Sequence, residues 1–164
     1  MEKEKGGKLA DSLGQLWFIH PFIEGNTTAI IYMGLKFAEK NGFPIEVNRA
    51  IDVGSGAGFP GIPLSICLPD VHFVLLDSLG KRVDFLKSVI SALNLNAEAI
   101  HMRAEDAAKL PELREGFDLA TARAVASLNL LSEYLLPFVK VGGYMMSLKG
   151  PGLDEEAAEA EKAF

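Results

Sequence analysis

The stretch 51–61 has the residue types that bind a nucleoside-type cofactor. It begins with a short apolar run, Ala50–Val53, which predicts a strand buried on both faces with the carboxylate of Asp52 at its carboxyl end. Glycines follow at Gly54, Gly56 and Gly58. They let a loop turn sharply and approach a ligand closely. A glycine turn without a ligand is the alternative, but glycines at this density weaken a fold unless something requires them.

Two cofactor classes compete for this loop. The spacing G-x-G-x-x-G, followed by an acidic residue at Asp77, is typical of dinucleotide-binding proteins. The pattern falls on Gly56, Gly58 and Gly61. A pyrophosphate needs backbone N–H donors at the following helix, however, and Pro60 and Pro63 each lack one. S-adenosylmethionine has no phosphate, and strand-end carboxylates at Asp52 and Asp77 suit its ribose and its cationic methionine end.

Apolar runs and helical patterns alternate along the rest of the chain. Strands are predicted at Ala50–Val53, Val71–Asp77, Ala97–Met102, Phe117–Ala122 and Gly143–Leu148. Helices are predicted from Gly61 to Pro69, over Lys81–Leu93 and around Leu128–Leu135. This order predicts an open, doubly wound, mainly parallel α/β sheet with its ligand crevice at the carboxyl ends of the strands. The charged residues at such ends are Asp52, Asp77, Glu105 and Arg123.

The first 47 residues are predicted to form a helical segment packed on this core, which then occupies residues 48–164. Met1–Lys8 is expected to be disordered, and Leu9–Ile23 to form a short helix and a packed turn. A further helix begins at a cap on Asn26 or Thr27 and is stopped by Gly42 and Pro44. The last residues, 151–164, suit the start of another helix.

Composition limits the possible partners. The 164 residues are 49% hydrophobic, which is enough for one core, and the net charge of −6 counts against a protein that binds free RNA. Cys67 is the single cysteine, which excludes a disulfide framework or a thiolate metal site, and we expect it to be buried. The three histidines are far apart, so no metal site is expected. Without a long apolar run or a signal-like start, we expect no membrane span and a cytoplasmic location.

Five segments together resemble the RsmG (GidB) family of 16S ribosomal RNA guanine-N7 methyltransferases, which are class I enzymes dependent on S-adenosylmethionine. The segments are Asp52–Ser65, Leu75–Val83, Arg103–Glu105, Ala122–Leu128, and Gly142-Gly143 with Leu148–Gly150. The resemblance implies a Rossmann-like methyltransferase fold over residues 48–164, with the family's usual last two strands missing and the carboxyl end truncated.

The resemblance also implies roles for particular residues. Gly54 and Phe59 would line the methionine end of the cofactor, and Asp77, with Ser78 beside it, would take the ribose. Ala104 and Glu105 would lie against the adenine. Arg123 would face the cofactor and the incoming base as a positioning residue. The alternatives are that Glu105 only caps a helix and that Arg123 only forms a surface ion pair.

Methyl transfer to guanine N7 requires no general base, because this nitrogen already presents a lone pair. The sequence accordingly predicts no acid/base residue, and the family resemblance implies a substrate in the small ribosomal subunit or its 16S RNA. Two alternatives stay open, a cofactor-binding but inactive or truncated family member and a dinucleotide-dependent oxidoreductase. If strand Gly143–Leu148 is the last one, its edge has unpaired backbone groups. We therefore expect the chain either to self-associate there or to be less soluble than a version extended by two strands.

Overall fold

The computed structural model describes residues 26–40, 46–123 and 128–148. The chain divides into two compact units, Met1–Glu46 and Val47–Phe164. In the first unit, helix α1 spans Asn26–Lys40, so it begins at the predicted cap, and it buries Ile31 and Leu35. The predictions for residues 1–23, 42, 44 and 151–164 lie outside the described residues. The packing of the first segment on the core, and the domain roles of 1–47 and 48–164, stay predictions.

The second unit alternates strands and helices as expected. The strands are β1 Arg49–Val53, β2 His72–Asp77, β3 Ala97–His101, β4 Phe117–Arg123 and β5 Val139–Leu148. The helices are α2 Gly61–Cys67, α3 Gly80–Leu93, α4 Ala104–Ala107 and α5 Leu128–Leu135, and a 3₁₀ turn at Leu136–Phe138 follows α5. Helix α2 ends two residues before the predicted Pro69, because the residue preceding a proline is driven out of the helical region, and Leu68 has φ −127° and ψ 67°.

The strands of this unit form a parallel sheet in the order β3-β2-β1-β4-β5. This confirms the doubly wound, Rossmann-like α/β fold. The order reverses between β1 and β4, so a crevice opens at the carboxyl ends of the strands beside β1.

Both faces of the sheet are covered. Val74 and Leu76 of β2 pack on one face with residues of α4, α5 and the 3₁₀ turn, whereas Leu75 packs on the other face with Val83 and Leu86 of α3. Successive residues of a strand point to opposite faces, so a strand buried on both sides must be apolar throughout. The continuous apolar run of β2 therefore fits its place inside the sheet, between β3 and β1, with Asp77 at its end.

Two expectations about local structure were wrong. Strand β5 begins at Val139 instead of Gly143, because Gly142 has φ +84° and lets the strand bend while Val139 still pairs with Phe117. Cys67 is exposed instead of buried. It is the last residue of α2, whose buried residues lie earlier in the helix.

Strand β5 lies at an edge of the sheet, and Val141 is 97% exposed there. Self-association through this edge stays a prediction.

At the opposite end of the strands, the buried carboxylate of Asp118 connects three of them. Its Oδ2 accepts hydrogen bonds from the backbone N–H groups of Asn48 and Arg49, both at 2.8 Å, and its Oδ1 forms an ion pair with Lys140. Burial raises the pKa of Asp118, but hydrogen bonds from Lys140, Arg49 and Asn48 outweigh it, and the pKa lies below the ordinary value of 3.8. The ionised form of Asp118 therefore stabilises the start of β1.

We expect Asp118→Asn to lower the free energy of unfolding by about 1–3 kcal/mol at neutral pH, because the negative charge that pairs with Lys140 and accepts two partly buried N–H groups is lost. A group whose folded pKa is depressed stabilises the fold above its unfolded pKa, and this contribution is lost as pH falls through the folded pKa. The gap between wild type and variant should therefore close below pH 3.8. Urea unfolding at several pH values measures this difference in stability. Asp106→Asn is the control, because Asp106 belongs to an exposed ion pair. Equal destabilisation by both variants would contradict the assignment.

Among residues 26–40, 46–123 and 128–148, the helices are all too short or too polar to cross a bilayer.

Candidate functional site

The glycine loop between β1 and α2 is joined to the end of β2 by backbone hydrogen bonds. The N–H groups of Gly54 and Ser55 both donate to the carbonyl of Leu76, at 2.8 and 3.1 Å. The Ser55 hydroxyl donates to the carbonyl of Asp52 at 2.8 Å. The first turn of the loop therefore lies directly over the carboxyl end of the neighbouring strand.

The carboxylate of Asp77 continues this connection. It is 3% exposed. Its Oδ2 accepts the N–H of Gly56 at 2.8 Å, and its Oδ1 accepts the N–H of Leu79 at 2.9 Å. The guanidinium of Arg82 lies 3.6 Å from Oδ2. Asp77 thus joins the glycine loop to the turn after β2, while an ionised carboxylate with about four acceptor sites keeps capacity for a ligand.

Two glycines are required here for different reasons. Gly56 has φ +58°, a conformation that L side chains rarely adopt, and this turns its N–H toward Asp77. Gly61 begins α2, where a Cβ would collide with Leu75 Cδ2 and lie 2.9 Å from Asp52 Oδ2. The absence of a side chain at Gly61 lets helix α2 approach the sheet closely.

Asp52 supports the loop from beneath. It is 1% exposed. Its Oδ2 accepts the N–H of Gly61 at 3.2 Å, and its Oδ1 accepts the hydroxyl of Thr121 at 3.1 Å. Direct contact between Asp52 and a cofactor stays a prediction. The structure shows a buried carboxylate that ties the start of α2 to β4.

A cleft of about 220 Å³ opens at the carboxyl ends of β1, β2 and β3. Five of the predicted site residues line it together, namely Gly54, Asp77, Ser78, Ala104 and Glu105. Three strand ends and helix α4 bring them into one place, as the strand-end argument predicts. This volume is below the roughly 300–1,000 Å³ of pockets that enclose a drug-sized ligand. We therefore expect the cleft to enclose only part of a ligand of that size.

Of the other predicted site residues, Asp52, Gly56, Gly58 and Phe59 are outside the lining of this cleft. Gly56 and Gly58 are in the loop, with φ values of +58° and +93°. Phe59 is 45% exposed on the same loop. Arg123 is the last residue of β4, next to Leu148 of β5, and its side chain is outside the described part of the structure.

Five further residues line the cleft without having been predicted, namely Val53, Leu76, Met102, Arg103 and Tyr134. Val53 and Leu76 are the last apolar residues before the strand ends, so their position was a usable signal. Arg103 belongs to the segment Arg103–Glu105 that carries the family resemblance. Tyr134 comes from α5, which only the tertiary fold brings to this cleft.

Two charged side chains that line the cleft form an ion pair with each other. Arg103 Nη2 donates to Glu105 Oε1 at 3.2 Å. This hydrogen bond lowers the pKa of Glu105 below its ordinary value of 4.5. At neutral pH the Glu105 carboxylate is therefore ionised and can only accept hydrogen bonds.

Metal binding has no support in the part of the chain that the structure describes, where no three His, Cys, Asp or Glu side chains are grouped to hold an ion.

A family model and two curated relatives match most of this chain. A sequence model of the GidB family, described as "rRNA small subunit methyltransferase G", matches residues 38–164. A ribosomal RNA small subunit methyltransferase G from Clostridium novyi is 53% identical over 120 residues, which cover 73% of this chain and 49% of the relative. A protein of the same name from Clostridium beijerinckii is 51% identical over 131 residues, covering 79% and 54%. The chain spans about half the length of these curated relatives.

Solved structures show the same fold at low sequence identity. A methyltransferase from Geobacter sulfurreducens has a TM-score of 0.59 at 13% identity, over 86% of this chain and 69% of that protein. Coclaurine N-methyltransferase, solved with N-methylheliamine and S-adenosylhomocysteine (SAH), has a TM-score of 0.58 at 11% identity, over 77% and 36%. These similarities concern the fold, whereas the family model covers most of the sequence. The chain belongs to the GidB family of ribosomal RNA small subunit methyltransferases G.

Proposed function

We propose that this chain binds S-adenosylmethionine in the cleft and acts as a methyltransferase on guanine N7 in the 16S RNA of the small ribosomal subunit. The observation that carries the proposal is the cleft itself, where the buried carboxylate of Asp77 lies beside the glycine loop and Glu105 lies at the end of the next strand. A ligand that presents a ribose diol to Asp77 and a base to Ala104 and Glu105 fits this order. Family membership supports the reaction.

The loop is poorly suited to the pyrophosphate of a dinucleotide. At the start of α2, the N–H of Gly61 donates to Asp52, and those of Ile62 and Leu64 donate to the carbonyls of Gly58 and Pro60. Pro60 and Pro63 have no N–H to offer. A phosphate at a helix N-terminus requires such donors, so the oxidoreductase alternative is disfavoured.

The chemistry requires positioning more than proton transfer. When bound, S-adenosylmethionine would supply a methyl group whose carbon an in-line nucleophile can attack, with the neutral thioether of S-adenosylhomocysteine as the leaving group. Gly54 and Phe59 would hold the methionine end, Asp77 and Ser78 the ribose, and Ala104 with Glu105 the adenine. Arg123, at the carboxyl end of β4, would orient the incoming guanine. Alignment of two reactants alone supplies a large part of such a rate enhancement.

We expect the assembled small subunit to be a better substrate than naked RNA. The chain has a net charge of −6, and phosphate contacts dominate the affinity of proteins for free nucleic acid. An assembled subunit also presents protein surfaces and a fixed RNA shape. We therefore expect faster methylation of subunits than of short RNA.

Two measurements test the proposal. Calorimetric titration should show saturable binding of SAH, and NAD should bind at least about 100-fold more weakly, because it presents a pyrophosphate to a turn whose donors are engaged. Incubation with small subunits and S-adenosylmethionine, followed by mass spectrometry of digested RNA, should yield 7-methylguanine. Binding without methylation would favour the alternative of an inactive member, and methylated adenine or cytosine would contradict the proposed target.

A further inference from the structure

The ion pair between Arg103 and Glu105 lies in the lining of the cleft, after strand β3. Both side chains line the cleft, and Arg103 Nη2 donates to Glu105 Oε1 at 3.2 Å. Arg103 follows β3, and Glu105 is in the four-residue helix α4. The pair is half-exposed, with side-chain exposures of 71% and 42%. An exposed pair of this kind contributes little to stability, so its position in the cleft suggests another use.

The pairing of β2 with β3 determines which part of a ligand would lie beside this ion pair. Asp77 ends β2, and its carbonyl accepts the N–H of Met102, which directly precedes Arg103. Neighbouring strands lie about 4.8 Å apart. A nucleoside whose ribose is at Asp77 therefore extends its base over the end of β3, toward Ala104 and Glu105. This step rests on the proposed function.

The group of the base that faces Glu105 matters, because of the chemistry of this side chain. An ionised carboxylate accepts hydrogen bonds and donates none. The 6-amino group of adenine is a donor, whereas hypoxanthine has a carbonyl oxygen in that place, which would face the carboxylate as a second acceptor. A polar site rejects an analogue that leaves its groups unpaired.

We propose that Arg103 is a specificity-determining residue that positions the Glu105 carboxylate as an acceptor, so that the cleft selects a 6-amino purine over a 6-oxo purine. Arg103 holds Oε1 of the carboxylate, and in this proposal Oε2 would accept the hydrogen bond of the base. It acts through Glu105 and is a positioning residue.

The same segment offers a matched control. Lys109 Nζ pairs with Asp106 Oδ1 at 2.9 Å, with side-chain exposures of 72% and 58%. This pair is as exposed as the first one, but neither of its members lines the cleft beside Asp77. A variant of Lys109 therefore removes one cation and one surface ion pair of the same segment, while the hydrogen bond between Arg103 and Glu105 stays in place.

The experiment compares SAH with S-inosylhomocysteine by calorimetry. Wild type should prefer the adenine compound by about tenfold or more. Arg103→Met should reduce this preference to about threefold or less, mainly by weakening the adenine compound. Glu105→Gln should bring it close to one, because an amide can either accept or donate. Lys109→Met should keep the wild-type preference, and circular dichroism checks that each variant is folded.

A pH series adds a readout that a merely structural role would not move. Arg103 lowers the pKa of Glu105, so protonation should abolish the preference of wild type only below pH 4.5, and in Arg103→Met at a higher pH than in wild type. A wild-type preference retained in Arg103→Met would overturn the inference. Equal wild-type affinity for both compounds would overturn it while leaving the proposed function intact, whereas failure to bind SAH would remove both.

Discussion

Asp77→Ala is expected to weaken SAH binding about 10- to 150-fold. A carboxylate that accepts ribose hydroxyls contributes roughly 1.5–3 kcal/mol to binding, and this range converts to that loss of affinity. Asp77 is only 3% exposed, so a water molecule does not easily take the place of its carboxylate in the variant. Calorimetric titration of both proteins measures the change directly.

The same substitution also removes the acceptor of two loop N–H groups, those of Gly56 and Leu79. The free energy of unfolding without ligand must therefore be measured beside the affinity. Asp84→Ala is the matched control, because Asp84 is an exposed aspartate on the neighbouring helix α3. Asp77 would not belong to the site if its variant bound SAH as tightly as the control variant does.

Gly61→Ala is expected to lower the free energy of unfolding by about 3 kcal/mol. The new Cβ would collide with Leu75 Cδ2 and lie 3.2 Å from Asp52 Cβ. Helix α2 would have to move away from the sheet, which strains the core and lengthens the buried hydrogen bond from Gly61 to Asp52. Urea unfolding measures the loss, which is a large part of the roughly 5–15 kcal/mol of a whole domain.

Gly56→Ala separates crowding from backbone strain. The position has φ +58°, but a Cβ there would meet only Gly54 O at 3.9 Å. The cost should be the left-handed backbone alone, about 1–2 kcal/mol. If Gly56→Ala proved as damaging as Gly61→Ala, close packing of α2 on β2 would not be the reason for Gly61.

The sequence was sufficient for the order of elements because apolar runs mark the buried strands, and the run of β2 continues unbroken to Asp77 at its end. Asp77 shows this most clearly, since the run before it could only be a central strand. Gly56 was also predictable, because a glycine-rich turn after a strand has few other uses. Strand order then brings Gly54, Asp77 and Glu105 to one cleft.

What the sequence could not show depends on contacts between distant segments. Tyr134 reaches the cleft from α5, and no local pattern marks it. Asp118 reads as one polar residue within an apolar strand, yet its partners are 69 and 70 residues away. The wrong expectation for Cys67 has a similar origin, because an apolar run does not tell which residues of a short helix face the sheet.

The glycine loop is held by hydrogen bonds to the protein's own carboxylates, since Asp77 accepts the N–H of Gly56 and Asp52 accepts the N–H of Gly61. The loop is therefore preorganised, because hydrogen bonds within the protein set its conformation and the cofactor does not have to. Binding then loses little free energy to ordering of the protein at this loop. The affinity of the cleft should consequently depend on how well a ligand fits the loop, since the loop has little freedom left to fit the ligand.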